Sequence, residues 1–272
     1  MAEQNPNLDN LIKMIGEAGR RLSEIDASEG AAGNMSVCAR WPLELGGVYS
    51  QVETLRLPMS VPELAGATFI VTGSGRRLRE VIQNPAANLG CLVVDPGGET
   101  AKLYTSSQRL FTTLTGEFNS HLAVHYDQLL ANGTNFHAVV HAQPPYLTYL
   151  SHIAAYQDET YLNRHLLRWQ PETIMQLPEG MAPLRFLIPG STELVVATVE
   201  SLREHRITIW SQHGVMSRSD TSVQHACDLI EYAEAAARYE YLNLIAGEPS
   251  EGLKADNIRA ICDSLNIQQN IF

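Results

Sequence analysis

Apolar positions three and four residues apart open the chain. Leu8, Leu11, Ile12, Ile15, Ala18, Leu22 and Ile25 share one stripe of a 3.6-residue period, and Asn7 is placed to cap it. The pattern predicts an amphipathic helix that stops near Asp26, where SEGAAGN supplies small residues. Short apolar runs then take over. NMSVCAR (34–40), ATFIVT (67–72), LGCLVVD (89–95), FHAVVH (136–141), LRFLIP (184–189) and ITIW (207–210) each predict a strand. Residues 41–66 contain prolines and hold no period, and the stretch after residue 95 is weakly patterned, so neither predicts an element. Helices are predicted over 76–83, from Phe118 along the stripe Phe118, His121, Leu122, His125 and Leu129, and over 147–155. Three more are predicted over 191–203, over 222–245 ending at Gly247, and over 250–265.

Helices frame the ends and strands fill the middle, without regular alternation. That order favours a single mixed three-layer α/β domain over 1–272 above a doubly wound parallel sheet. GxGxxG is absent, so a dinucleotide fingerprint is not supported. The length suffices for a core without disulfides or a structural metal. With 44% hydrophobic and 18% charged residues, intrinsic disorder is excluded. No apolar run approaches the ~18 residues of a membrane-spanning helix. The start, MAEQNPNLDNLIK, lacks a basic segment followed by an apolar one, so a secretory leader is not expected.

Charge narrows the partners. Nineteen basic residues stand against 30 acidic ones, which argues against a nucleic-acid surface. The one basic cluster is Arg76, Arg77 and Arg79, and a local pocket for a small anion remains compatible, because backbone amides bind anions without net positive charge. Cys38, Cys91, Cys227 and Cys262 are scattered and form no CxxC. They read as buried free thiols of a cytoplasmic protein.

The chemistry-bearing residues are ambiguous one at a time. TGSG (72–75), after a strand, suits a phosphate cradle and equally a plain turn. Asn34, in GNMS, suits a substrate oxygen or a turn. His141 ends one strand and His213 follows another; alone, such a histidine is more often a hydrogen-bonded rim residue than a ligand. Glu117 opens a helix, where the dipole favours a carboxylate in any case. Together the three suffice for a catalytic metal site if they converge, and spacing does not decide convergence.

Taken together, these segments resemble the class II aldolase/adducin family. EGAAGNMSV resembles its first Gly-Asn phosphate loop, and FIVTGSG with NPAANLG its second. LTGEFNSHLAVH resembles the segment with the acidic residue, AVVHAQ the strand with a His-x-His pair, and QHGVM the third-histidine segment. The resemblance runs in order through most of the chain. It implies a class II aldolase-like α/β fold, a three-layer mixed sheet with helices on both faces, in a cyclic homotetramer with active sites at subunit interfaces. It implies retro-aldol cleavage of a ketose 1-phosphate to dihydroxyacetone phosphate and an aldehyde, with a divalent metal, zinc first and manganese or cobalt as alternatives. Glu117 is then the acid/base residue, and His141 and His213 are metal ligands. Asn34, Ser74, Gly75, Thr115 and Gly116 surround the phosphate. Glu172, in QPETIMQLP, is a second catalytic glutamate that reaches in from a neighbouring subunit.

The chain departs from the family in one ligand. Gln143 stands where the second histidine of the pair belongs, and its amide oxygen is a weaker zinc ligand than imidazole. Three outcomes follow: a weaker site with Gln143 or water as third ligand, a preference for a harder ion such as manganese or magnesium, or loss of ion and activity. Ala31 and Gly116 also remove side-chain donors from the phosphate loops. Three functions stay open: the aldolase, a catalytically silent oligomeric interaction module, and a related metal-dependent lyase or epimerase.

Overall fold

The computed structural model describes residues 5–272. The first stripe folds as α1 (Leu8–Glu24), and the Asn7 side chain caps it by accepting the Asn10 N–H at 2.9 Å. There follow β1 (Asn34–Ala39), β2 (Gln51–Arg56), β3 (Thr68–Thr72), the single turns α2 (Leu78–Val81) and α3 (Pro85–Asn88), β4 (Leu89–Val94) and β5 (Thr100–Thr105). Next come α4 (Phe118–Asn132), β6 (Phe136–Ala142), α5 (Pro145–Leu150), α6 (Glu159–Leu166), α7 (Pro171–Gln176) and β7 (Ala182–Leu184). The remaining elements are α8 (Thr192–Glu204), β8 (Ile207–Trp210), β9 (Gly214–Ser219), α9 (Val223–Ile245) and α10 (Ala255–Leu265).

One nine-stranded sheet has the order β2-β5-β4-β3-β1-β6-β9-β8-β7. Its neighbours run antiparallel except β7 and β8, which run parallel. Side chains alternate between the faces of a strand. On β6, Ala138, Val140 and Ala142 join the core beneath α1, α5 and α9, while Val139 joins a cluster with Val124 of α4 and Leu194 and Leu202 of α8. Helices therefore cover both faces, as a three-layer arrangement requires. All four cysteines are free and buried. Among the described residues, no helix is long and apolar enough to cross a membrane.

Several elements differ from the sequence expectation. Residues 41–66 hold β2, and the weakly patterned stretch after residue 95 holds β5, which pairs with both β2 and β4. The edge strand β2 is exposed along nearly its whole length, so no apolar alternation betrays it. LRFLIP is not a strand over 184–189. Pairing ends at Leu184, and Phe186 and Ile188 stand exposed in the connection to α8. Residues 214–219, expected as no element, form the interior strand β9 between β6 and β8. The helix expected over 147–155 spans Pro145–Leu150. The helix expected over 250–265 begins at Ala255, and that over 76–83 shrinks to Leu78–Val81. The short helices α6 and α7 were not legible as periods.

Candidate active site

Six loops and strand ends meet at one cleft of about 390 Å³. The approach to β1 brings Gly33 and Asn34, and the β3–α2 turn brings Gly73 to Arg76. Residues 115–117 enter from the start of α4, Pro189 and Gly190 from the loop before α8, and His213 from the β8–β9 turn. His141 rises from β6, and Gln143 lines the wall just past that strand. Nine of the ten expected site residues thus lie within one cleft or line it. The tenth, Glu172, lies exposed on α7 and does not line the cleft of its own chain.

Glu117, His141 and His213 converge, with one ligand atom from each lying within 4.8 Å of the others. Glu117 Oε2 stands 3.5 Å from His141 Nε2, and Oε1 stands 3.6 Å from His213 Nε2. Those separations are longer than hydrogen bonds. Donor atoms about 2.1 Å from a single ion at tetrahedral angles stand roughly 3.4 Å apart, so the spacing fits three ligands of one cation. The histidines are prepared for that role unequally. His141 Nδ1 lies 2.8 Å from the Val215 carbonyl oxygen, which can only accept, so Nδ1 carries the proton and Nε2 presents a lone pair to the cleft. Trp210 stacks on its ring at 4.8 Å. His213 Nδ1 is buried without a hydrogen-bond partner among the described residues. Burial lowers the His213 pKa first, and the adjacent His141 ring disfavours a second positive charge beside it, while the Glu117 charge opposes them. Both effects hold the imidazole in the neutral, ligating form.

Backbone geometry presents His213. Gln212, the residue before it, is in the left-handed region at φ 66°, and its N–H donates to Ser151 Oγ at 2.8 Å. A non-glycine residue held there is strained, and the turn that results aims the next side chain inward. Glu117 is the N-cap residue of α4, yet its side chain caps no backbone group. It instead accepts a hydrogen bond from Asn34 Nδ2 at 2.8 Å.

The opposite wall offers anion chemistry. Among the described residues, the N–H groups of Gly75 and Gly116 donate to no protein acceptor, whereas that of Ser74 is taken by the Thr113 carbonyl at 2.9 Å. Thr115 is buried and presents its hydroxyl weakly, 3.4 Å from the Glu117 N–H. Among the described residues Arg76 is the one cation of the wall, with its guanidinium fixed by Asn88 and Glu80, each at 2.8 Å. In the sequence Arg76 stands out only as part of a basic cluster, and His121 and His125 only as members of a helix stripe, although two histidines four residues apart on an apolar face are the available signal.

Comparisons with known proteins show the family and the fold. The family model of the Class II Aldolase and Adducin N-terminal domain matches residues 13–241. A rhamnulose-1-phosphate aldolase of Escherichia coli is 29% identical over 209 residues, 77% of this chain and 74% of that protein. The Listeria monocytogenes enzyme of the same name is 26% identical over 262 residues, 94% and 93% of the two chains. The crystal structure of a sugar-phosphate aldolase from Thermotoga maritima superposes with a TM-score of 0.75 at 27% identity, covering 90% of this chain and 99% of the other.

Proposed function

The chain belongs to the class II aldolase and adducin N-terminal domain family, and from that premise we propose that it cleaves a ketose 1-phosphate into dihydroxyacetone phosphate and an aldehyde. The observation that carries this reading is the convergence of Glu117, His141 and His213 in a cleft whose far wall bears free backbone amides and Arg76. The rhamnulose-phosphate specificity of the two relatives supports a deoxyketose phosphate as the first substrate to try.

His141 and His213 would hold a divalent cation, zinc first, with Glu117 within reach of the same ion and Gln143, at the cleft wall, available as a further ligand. A bound cation supplies Lewis-acid stabilisation of the negative charge that develops on the ketose oxygens. The protein's residues do the rest. Gly75 and Gly116 donate backbone N–H groups to the phosphate, Ser74 and Thr115 add hydroxyls, and the charge of Arg76 favours the dianion. The Asn34 amide keeps one N–H for a substrate oxygen after serving Glu117. Anchored this way, the reacting carbon is held beside Glu117, which takes up a proton from solvent and gives it to that carbon after the C–C bond breaks, while the proton leaving the substrate hydroxyl is released to solvent in turn. A second carboxyl, Glu172 from a neighbouring copy in a homotetramer, takes the proton from the hydroxyl that becomes the aldehyde oxygen. Gln143, with the side-chain donors lost at Ala31 and Gly116, favours the other reading, a silent family member used as an oligomeric interaction module.

Elemental analysis of tag-free protein purified without chelator tests the reading first, followed by a screen of ketose 1-phosphates for release of dihydroxyacetone phosphate. We expect near one divalent ion per chain, and a loss of about 10²- to 10⁴-fold in cleavage for Glu117→Ala. Gln143→His should raise metal affinity and rate together. Protein that ignores zinc, manganese and cobalt and cleaves nothing would overturn the proposal in favour of the interaction module.

A further inference from the structure

Behind Glu117 lies a column of polar side chains in an otherwise apolar layer between the sheet and α4. Asn34 and Ser36 of β1, His121 and His125 of α4, and His137 of β6 are all buried. Asn34 Oδ1 lies 2.5 Å from His121 Nε2. Ser36 Oγ lies 2.6 Å from His121 Nδ1 and 2.7 Å from His125 Nε2. His125 Nδ1 lies 2.8 Å from His137 Nδ1. None of these contacts is needed by the metal-ligand geometry, and a core of this kind ordinarily holds leucine and valine.

The direction of every bond follows from one fixed end. The Glu117 carboxylate accepts, so Asn34 turns its NH2 toward Oε2 and its oxygen toward His121. That oxygen requires a proton on His121 Nε2. With His121 neutral, its Nδ1 is an acceptor, and the Ser36 hydroxyl donates to it. Ser36 then accepts from His125 Nε2–H, and the bare His125 Nδ1 accepts from His137 Nδ1–H. His137 Nε2 is left as a lone pair, and it is indeed buried without a partner among the described residues. Burial holds all three rings neutral. It lowers the pKa of His121 and of His125 well below the usual value and, with the nearby Arg218 charge, brings His137 to about 3.

We infer that His137, His125, Ser36, His121 and Asn34 form a one-way hydrogen-bond column that orients the Glu117 carboxylate, with Ser36 and His121 as positioning residues. The column presents a donor to Oε2. Oε1 accepts no hydrogen bond among the described residues and stays free for the cleft. It orients and does not conduct, since an amide nitrogen cannot pass a proton along as a hydroxyl or imidazole can. Its catalytic consequence rests on the aldolase reading above; its direction does not.

Two measurements test it. In wild-type protein labelled with ¹⁵N-histidine, long-range proton–nitrogen spectra between pH 5.5 and 8 should show Nε2–H for His121 and His125 and Nδ1–H for His137. None of the three should titrate. Nδ1–H on His121, or a charged ring among the three at pH 7, overturns the column. In Ser36→Ala the link between the two α4 histidines is cut. We expect kcat to fall at least about tenfold while KM and bound metal per chain stay at wild-type values. An unchanged kcat, or a fall matched by lost metal and lost folded protein, removes the positioning role. If wild type cleaves no ketose 1-phosphate yet shows these tautomers, the reading of the cleft fails and the column stands. Wrong tautomers in an active enzyme sink the column alone.

Discussion

Glu234 shows how burial sets a single residue's chemistry away from the cleft. Its carboxylate on α9 accepts the Tyr146 and Leu147 N–H groups at 2.9 Å each. It thereby serves the start of α5, where Pro144 has no side-chain cap to offer. Burial nonetheless pushes its pKa up to about 7, against those two donors and Arg238. A raised folded pKa means that the native state binds a proton which the unfolded chain releases. The stabilisation is full below the ordinary carboxylate pKa and is lost as pH rises through about 7. Its size is on the order of 3 kcal/mol. Denaturant unfolding of wild type and Glu234→Gln across pH 4.5 to 7 should show a downward slope in wild type that is flatter in the variant. Equal slopes would remove this assignment.

At the scale of elements, the site is a product of how closely β6 and β9 approach. Gly214 opens β9, and a Cβ there would stand 2.4 Å from the Ala142 carbonyl oxygen and 3.2 Å from His141 Cε1. No side chain fits between backbone groups that close, so the glycine allows His141 and His213 to share one end of the sheet. Gly214→Ala should therefore cost roughly 1–3 kcal/mol in unfolding free energy and weaken metal binding at least about tenfold. Gly247→Ala, where a Cβ would meet nothing within 4 Å, should change neither. Thermal unfolding and metal titration read both effects. Wild-type metal affinity in Gly214→Ala would show that this approach does not set the ligand geometry.

For the whole molecule, the open question is the second carboxyl. Glu172 sits on α7, which packs against α9 and α10 in the layer opposite α4. It does not line the cleft of its own chain, so it acts only if another copy supplies it. Sedimentation should then give four times the 30.0 kDa chain mass, and Glu172→Ala should lower kcat in the assembled protein. A monomeric mass would remove Glu172 from the mechanism.

The chain by itself determined the elements whose signals are local. The α1 stripe with its Asn7 cap, and the apolar runs of β3, β4 and β8, are legible because periodicity and capping act over a few residues. The site residues were ambiguous one at a time, and the resemblance of their segments, in order, to the class II aldolase family is what singled them out. Tertiary structure decided what depends on partners far along the chain. β2, β5 and β9 exist because of the strands beside them, and β2 is too exposed to carry a pattern of its own. Arg76 reaches the cleft only because the β3–α2 turn folds over it. His121 and His125 look like two members of a helix stripe until Ser36, more than 80 residues earlier, stands between them. A hydrogen bond fixes donor, acceptor and tautomer only when both partners are in place. That pairing is what folding adds to residues the sequence had already supplied.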